Sequence, residues 1–229
     1  MKNILLIIGF IASLQTLKSQ DKENWKPDYD SIKQEISDGS SRYYYPKLLE
    51  RCSEWDTSLT FVDYRYLYFG YTFQPQYDPY WRSPNEEKLV AYYRKPDFTK
   101  KDYDTYISLA NASLDACPFD LRTLNFLAYV YELKGDEQTA HKMRYKFSMI
   151  LTAILSTGDG QSCQTGFHVI STSHEYVFLN MFEFSFTQQT LTKDLCDYMS
   201  VEKDQRGIDG IYFNISRLWN VNIEKMKKD

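Results

Sequence analysis

The sequence predicts an α+β protein, with a helical region over residues 20–156 followed by a small antiparallel β-rich C-terminal region over residues 157–229, the two packed as one module. Three observations carry that prediction. Helix-start chemistry recurs through the first two thirds of the chain. A turn-rich stretch, Ser156-Thr157-Gly158-Asp159-Gly160-Gln161-Ser162, then interrupts it. Beyond that stretch, apolar and polar residues alternate with the period of two that a half-buried strand requires.

The helices follow from their caps. Thr60-x-x-Asp63 and Thr99-x-x-Asp102 read as capping boxes, in which a hydroxyl takes a free amide proton and an acid lies against the positive helix end. Ser83-Pro84-Asn85-Glu86 places Pro where its missing N–H costs nothing and Glu at the third helical position. Asp120 and Asp136 read as simple N-caps. Helices are therefore expected near 28–37, 46–53, 60–73, 85–94, 100–116, 121–134 and 137–155. The one at 60–73 is apolar almost all round, as a central packed helix is. Strands are expected where Phe182-Phe184-Phe186 alternates with Glu183, Ser185 and Thr187, and where Ile211-Phe213-Ile215 alternates with Tyr212, Asn214 and Ser216. Residues 173–181 fit a short helix or a strand.

The first residues pair one positive charge, Lys2, with an apolar run from Ile4 to Leu14 and a small residue at Ser19. The run is shorter than the roughly twenty residues a membrane span needs, and its order is that of a secretory signal peptide over residues 1–19. The expectation is an exported protein, periplasmic or extracellular, with no membrane span once the signal is removed. Its removal takes away Lys2 and Lys18 and moves the net charge from −4 to −6. A mildly acidic chain without a basic run excludes nucleic acid as the expected partner. Four cysteines, Cys52, Cys117, Cys163 and Cys196, are spaced too widely and irregularly for a zinc site. Cys163 and Cys196 both fall in the β-rich region and are the one pair named as a disulfide; free buried thiols are the alternative. No metal or cofactor is expected.

Between Pro118 and Phe147, Leu124-x-x-Leu127-Ala128-x-x-Tyr131, Gly135-Asp136, Ala140 and Phe147 resemble a tetratricopeptide repeat, in which such positions form the contacts between two antiparallel helices. Small residues at Ala128 and Ala140 allow close approach, and Gly135 makes the turn. Leu124 stands where Trp is usual, Arg144 where an apolar residue is usual, and Pro96 blocks a regular first helix upstream. Such a short array cannot bury its own faces, so other segments must cover it.

Tyr43-Tyr44-Tyr45-Pro46-Lys47-Leu48-Leu49, Tyr64-Arg65-Tyr66-Leu67-Tyr68-Phe69-Gly70-Tyr71, Cys117-Pro118-Phe119-Asp120-Leu121, Gly158-Asp159-Gly160 with Phe167-His168-Val169-Ile170-Ser171, and His174-Glu175-Tyr176 are spread over nearly the whole mature chain. Together they resemble an uncharacterised bacterial family with exported members, domain of unknown function 4919. The resemblance implies that the helical and β-rich regions belong to one module. It implies no activity.

Two candidate sites remain. The loop Tyr77-Asp78-Pro79-Tyr80-Trp81-Arg82-Ser83 can offer Tyr77, Tyr80 and Trp81 as stacking faces and Arg82 as a polar anchor. Asp159, His168, His174 and Glu175 supply an acid, bases and metal-ligand types within a short stretch, but without the helical spacing of zinc hydrolases or a serine elbow. The functional expectation is a non-enzymatic interaction module of the cell envelope, binding a protein, peptide or glycan. The alternatives are a hydrolase-like enzyme using the Asp159/His168/His174/Glu175 region and a structural envelope component. No pattern specifies an oligomeric state.

Overall fold

Most of the early helices start where a side chain can take up a free amide proton. The computed structural model describes residues 26–95, 98–203, 205 and 207–227; the signal segment 1–19 and Pro96 lie outside the described residues. Helix α1 (Tyr29–Ser37) is capped by Asp28, which accepts from the Ser31 N–H at 3.1 Å. Helix α2 (Tyr45–Ser53) has Pro46 in its first turn. Helix α3 (Phe61–Gly70) starts at the expected capping box, with the Thr60 N–H donating to Asp63 Oδ2 at 2.8 Å, and runs into a 3-10 turn at Tyr71–Phe73. Buried Asp63 also receives Arg42 at 2.9 Å, which with the Thr60 bonds holds its carboxyl below the usual range despite burial.

Helix α4 (Glu86–Tyr93) begins just after the expected Ser-Pro-Asn start; the Ser83 hydroxyl accepts from the Asn85 N–H instead of capping the helix itself. Helices α5 (Lys100–Ala116), α6 (Leu121–Lys134) and α7 (Glu137–Leu155) follow the expected boundaries. Gly135, at φ 84°, ends α6 in the left-handed conformation that glycine adopts without strain, and Asp136 then caps α7. The two helices fold back as a hairpin. Leu124, Leu127, Ala128 and Ala140 are buried in it and Tyr131 is half-buried.

After the turn-rich loop come β1 (Phe167–His168), α8 (Thr172–Met181), β2 (Phe186–Leu191), β3 (Cys196–Val201), β4 (Gly210–Asn214) and α9 (Ser216–Met226). The sheet order is β1-β4-β3-β2. It is mixed rather than wholly antiparallel, because β1 runs parallel to β4 while β4–β3 and β3–β2 are antiparallel. The chain between β1 and β4 contains α8 and two strands, length enough for the crossover that a parallel pair needs.

Residues 173–181, which fitted a helix or a strand, are helical, with Ser171 accepting from the Ser173 N–H as N-cap. The alternation at Phe182-Phe184-Phe186 does not begin a strand: Phe182 N–H bonds back to Phe178 and Phe184 N–H to Leu179, closing the end of α8 with Glu183 at φ 58°. β2 starts only at Phe186, and all six of its residues are exposed rather than half-buried. Strand β3 and helix α9 lacked a sequence signal, β3 because Asp197 breaks its apolar pattern and α9 because no polar side chain caps it.

One continuous buried cluster runs from Ile32 of α1 to Val221 of α9. Its centre is α3, whose Leu67, Tyr68 and Phe69 are wholly buried between the other helices. The Cys163–Cys196 pair is bonded, tying the loop before β1 to the start of β3, while Cys52 and Cys117 are free thiols.

Candidate functional site

The loop between the 3-10 turn and α4 is built on Tyr77 and Asp78. Tyr77 is 2% exposed; its ring packs edge-on against Tyr71, and its hydroxyl donates to the Ile170 carbonyl at 2.8 Å. Asp78 turns the chain, with Oδ1 accepting from the Tyr80 N–H at 3.0 Å and its carbonyl accepting from the Trp81 N–H at 3.2 Å. Tyr77 is thus the root of the loop rather than an open stacking face. It fastens residues 77–82 to the segment that leads into α8.

That fastening creates a cleft of about 670 Å³. Trp81 and Arg82 of the loop line it together with Leu89 and Tyr93 of α4, Phe119 and Thr123, and Ser171, Ser173 and His174. Trp81 is half-buried; Tyr80, at 48% exposure, stands on the same loop but outside the cleft wall. The lining mixes charges: Asp78, Glu86 and Asp120 against Arg82 and Arg122. Arg82 and Glu86 lie 3.9 Å apart in a loose, exposed pair, worth well under about 1 kcal/mol. Asp120 is committed to the fold, accepting from both the amide and the hydroxyl of Thr123. Cys117 also touches the cleft, and burial pushes its thiol up to about 12, away from nucleophilic character.

His174 reaches the cleft from α8, but both ring nitrogens are occupied. Nε2 donates to the Phe119 carbonyl at 2.8 Å, and Nδ1 accepts from the Tyr68 hydroxyl at 2.7 Å. Burial pushes its pKa down to about 4, so at neutral pH it is an uncharged structural strut. His168 is buried on β1 with its backbone N–H on Thr157 Oγ1 and its Nδ1 without a hydrogen-bond partner among the described residues; burial, then the charges of Lys26 and Arg65, lower it to about 4. Asp159 is exposed in the turn loop, where Oδ1 accepts from the Gln161 N–H. Glu175 is wholly buried, and in its protonated form its carboxyl can donate to the neighbouring Asp197 carboxylate. Burial, then the neighbouring Asp197 carboxyl, push it well above the usual carboxylate range. Asp197, itself raised by burial, accepts from Gln189 at 2.7 Å.

These four residues therefore face four different surroundings, and of them only His174 lines the cleft. Among the described residues, no group of three or more His, Cys, Asp or Glu side chains is arranged to hold a metal, and no helix is long and apolar enough to cross a membrane. The structure adds Tyr93, Phe119, Arg122 and Ser173 to the cleft. Sequence reasoning missed them because each sits in an ordinary helical or turn context. The one local irregularity was Arg122, a basic residue in the first turn of α6, where helix polarity favours an acid.

The sequence profile of a family described as a domain of unknown function (DUF4919) matches residues 30–224. No curated protein and no solved structure matches the chain.

Proposed function

The chain belongs to the DUF4919 family, and from that premise we propose that it is an exported, non-enzymatic interaction module that holds a protein, peptide or glycan segment in the Trp81 cleft. The observation that carries this reading is the convergence of the loop 77–82 and the segment 171–174 on one cleft whose histidine is spent on internal hydrogen bonds. A half-buried indole beside exposed, loosely paired charges suits recognition: the ring gives a rigid contact surface at low entropic cost, and Arg82 and Glu86, 3.9 Å apart, can orient hydroxyls or amides. General acid–base work needs a group free to take and give a proton near neutral pH, and His174 is tied at both nitrogens. Export follows from the signal-type segment 1–19, and its envelope location is part of the proposal.

The test is a screen of the mature chain against immobilised glycans and peptides, repeated on any hit with Trp81→Ala, each variant first checked for an unchanged Tm. Trp81→Ala should weaken binding at least about tenfold, the usual scale for a central aromatic anchor, while EDTA should have no effect. Full binding by Trp81→Ala, or loss on chelation, would overturn the reading. N-terminal sequencing of the exported chain should give Gln20 as the first residue.

A further inference from the structure

Beside the cleft, and sharing Val90, Tyr93 and Arg122 with it, lies an open groove of about 750 Å³ between α4, α6 and α8. Arg122, Asn125 and Phe126 line it from α6, and Val177, Asn180 and Met181 from α8; both triplets have the i, i+3, i+4 spacing of a single helix face. Arg94 closes it at the end of α4.

Its charge is one-sided. Among the described residues, two arginines line the groove and no Asp or Glu does, whereas Asp78, Glu86 and Asp120 all belong to the neighbouring cleft. Both guanidinium groups sit on exposed residues, and neither has an ion-pair partner among the described residues, although Arg42, Arg51, Arg82 and Arg144 each have one. Arg122 is moreover placed in the first turn of α6, where it gains nothing from the helix. The rest of the lining is apolar apart from two amides, and the Asn180 side chain makes no hydrogen bond among the described residues.

We propose that this groove binds a carboxylate joined to an apolar group, with the carboxylate at Arg94 and Arg122 and the apolar group against Phe126, Val177 and Met181. Planar guanidinium groups match a carboxylate with two parallel hydrogen bonds, and such charge-assisted bonds are roughly twice as strong as neutral ones. The asparagine amides add donors and acceptors at the rim. A ligand carrying the opposite arrangement, a cation or a neutral polar group beside the apolar part, would leave both arginines unmatched and is discriminated against. Two sources supply this chemistry: the free C-terminal end of a peptide with an apolar last residue, and a free fatty acid. The inference stands on the groove lining and does not need the Trp81 cleft to bind anything.

Four probes test it on the mature chain: a fluorescein-labelled hexapeptide pool ending in Ala-Leu with a free carboxylate, the same pool with an amidated end, decanoate and decanol. At least one acid should bind, with its neutral counterpart at least about tenfold weaker. Arg94→Gln and Arg122→Gln should each weaken the acid about fivefold or more and leave the neutral probe unchanged, at unaltered Tm. Asn180→Asp should weaken the acid selectively by repulsion. Whichever acid binds identifies the source. Equal binding of acid and neutral probes, no binding by either acid, or indifference to both arginine variants would overturn the proposal. Acid binding that is lost in Trp81→Ala but kept in both arginine variants would move the ligand to the cleft, overturning this groove assignment while leaving the cleft reading standing.

Discussion

The Tyr68 hydroxyl donates to Nδ1 of His174 at 2.7 Å, a bond between two buried side chains 106 positions apart in the chain. The same hydroxyl oxygen accepts the Ile170 N–H at 3.2 Å, and His174 passes the connection on to Phe119. One phenol thus joins α3, the segment before α8, and α8 itself. Tyr68→Phe leaves the imidazole Nδ1 and the Ile170 amide without partners while the ring still fills its space. Buried orphaned polar groups cost about 1–3 kcal/mol each, so the variant should lose about 2–4 kcal/mol in urea denaturation with little change in m-value.

Acid should destabilise the protein before most carboxylates titrate. His168 and His174 are both lowered from 6.5 to about 4, chiefly by burial. Between those values the unfolded chain binds two protons that the native chain refuses, so stability falls as pH drops from 6.5 towards 4. Each histidine can contribute up to about 3 kcal/mol over that window. Denaturation midpoints at pH 7 and pH 5 should differ clearly in the wild type and by about half as much in His168→Asn. Equal slopes in both proteins would count against the assignment.

The buried carboxyls act in the opposite direction. Glu175 keeps its proton in the native state because of burial and Asp197, so stability present below its ordinary pKa is lost as pH rises towards its raised one. Glu175→Gln preserves the shape and removes that titration. The variant should be more stable than wild type by about 1–3 kcal/mol at pH 8 and no more stable at pH 4. A variant destabilised at both pH values would mean that the acid itself is needed there.

How far the sequence could be read depends on the range of the interactions. Helices α1, α3 and α5 to α7 were legible because their caps are local: Thr60 with Asp63, Thr99 with Asp102, and Asp120 with Thr123 meet within one turn. Strand β3 was hidden because its second residue, Asp197, is a buried acid satisfied by Gln189 from another strand. The loop 77–82 could be singled out as aromatic, but the separation of roles within it could not. Tyr77 is an anchor because it meets Ile170, a residue 93 positions away, and no local pattern reports that contact. The arginine-lined groove was likewise invisible, since Arg94, Arg122 and Asn180 come from α4, α6 and α8.

The Cys163–Cys196 bond closes a separation of 33 residues around β1, α8 and β2. A loop of that length carries about 3–4 kcal/mol of unfolded-state entropy, less whatever order the unfolded chain retains. Reductant, or Cys163→Ser with Cys196→Ser, should lower Tm by several degrees, whereas Cys52→Ala with Cys117→Ala leaves the bond in place and should keep the same drop in Tm on reduction. An unchanged Tm after complete reduction would show that the loop ends are held without the bond.

In the turn-rich loop, Thr165 O accepts both the Asp159 and Gly160 amides at 2.9 Å, which brings Gly158 directly over the Thr165 carbonyl. A Cβ at 158 would meet that backbone oxygen, so Gly158→Ala must move one strand of the loop and should cost about 2–4 kcal/mol. Gly39 has nothing within 4 Å of the same position, and Gly39→Ala is expected to be neutral or slightly stabilising. Parallel melting curves of the two variants check the contrast.

Strand β2 sits at the margin of the sheet with every residue exposed, and its sequence, Phe-Thr-Gln-Gln-Thr-Leu, contains neither a charge nor a proline. Its free backbone amides and carbonyls are a row of hydrogen-bonding valences identical on every copy in solution. Association through that row would rise with the square of protein concentration, so dilution, not added salt, is what would keep the molecules apart. The register shift between Phe186 and Gln188 interrupts the row near its start, leaving a run from Gln188 to Leu191. A single lysine placed there would close the margin without touching the core, the cleft or the groove.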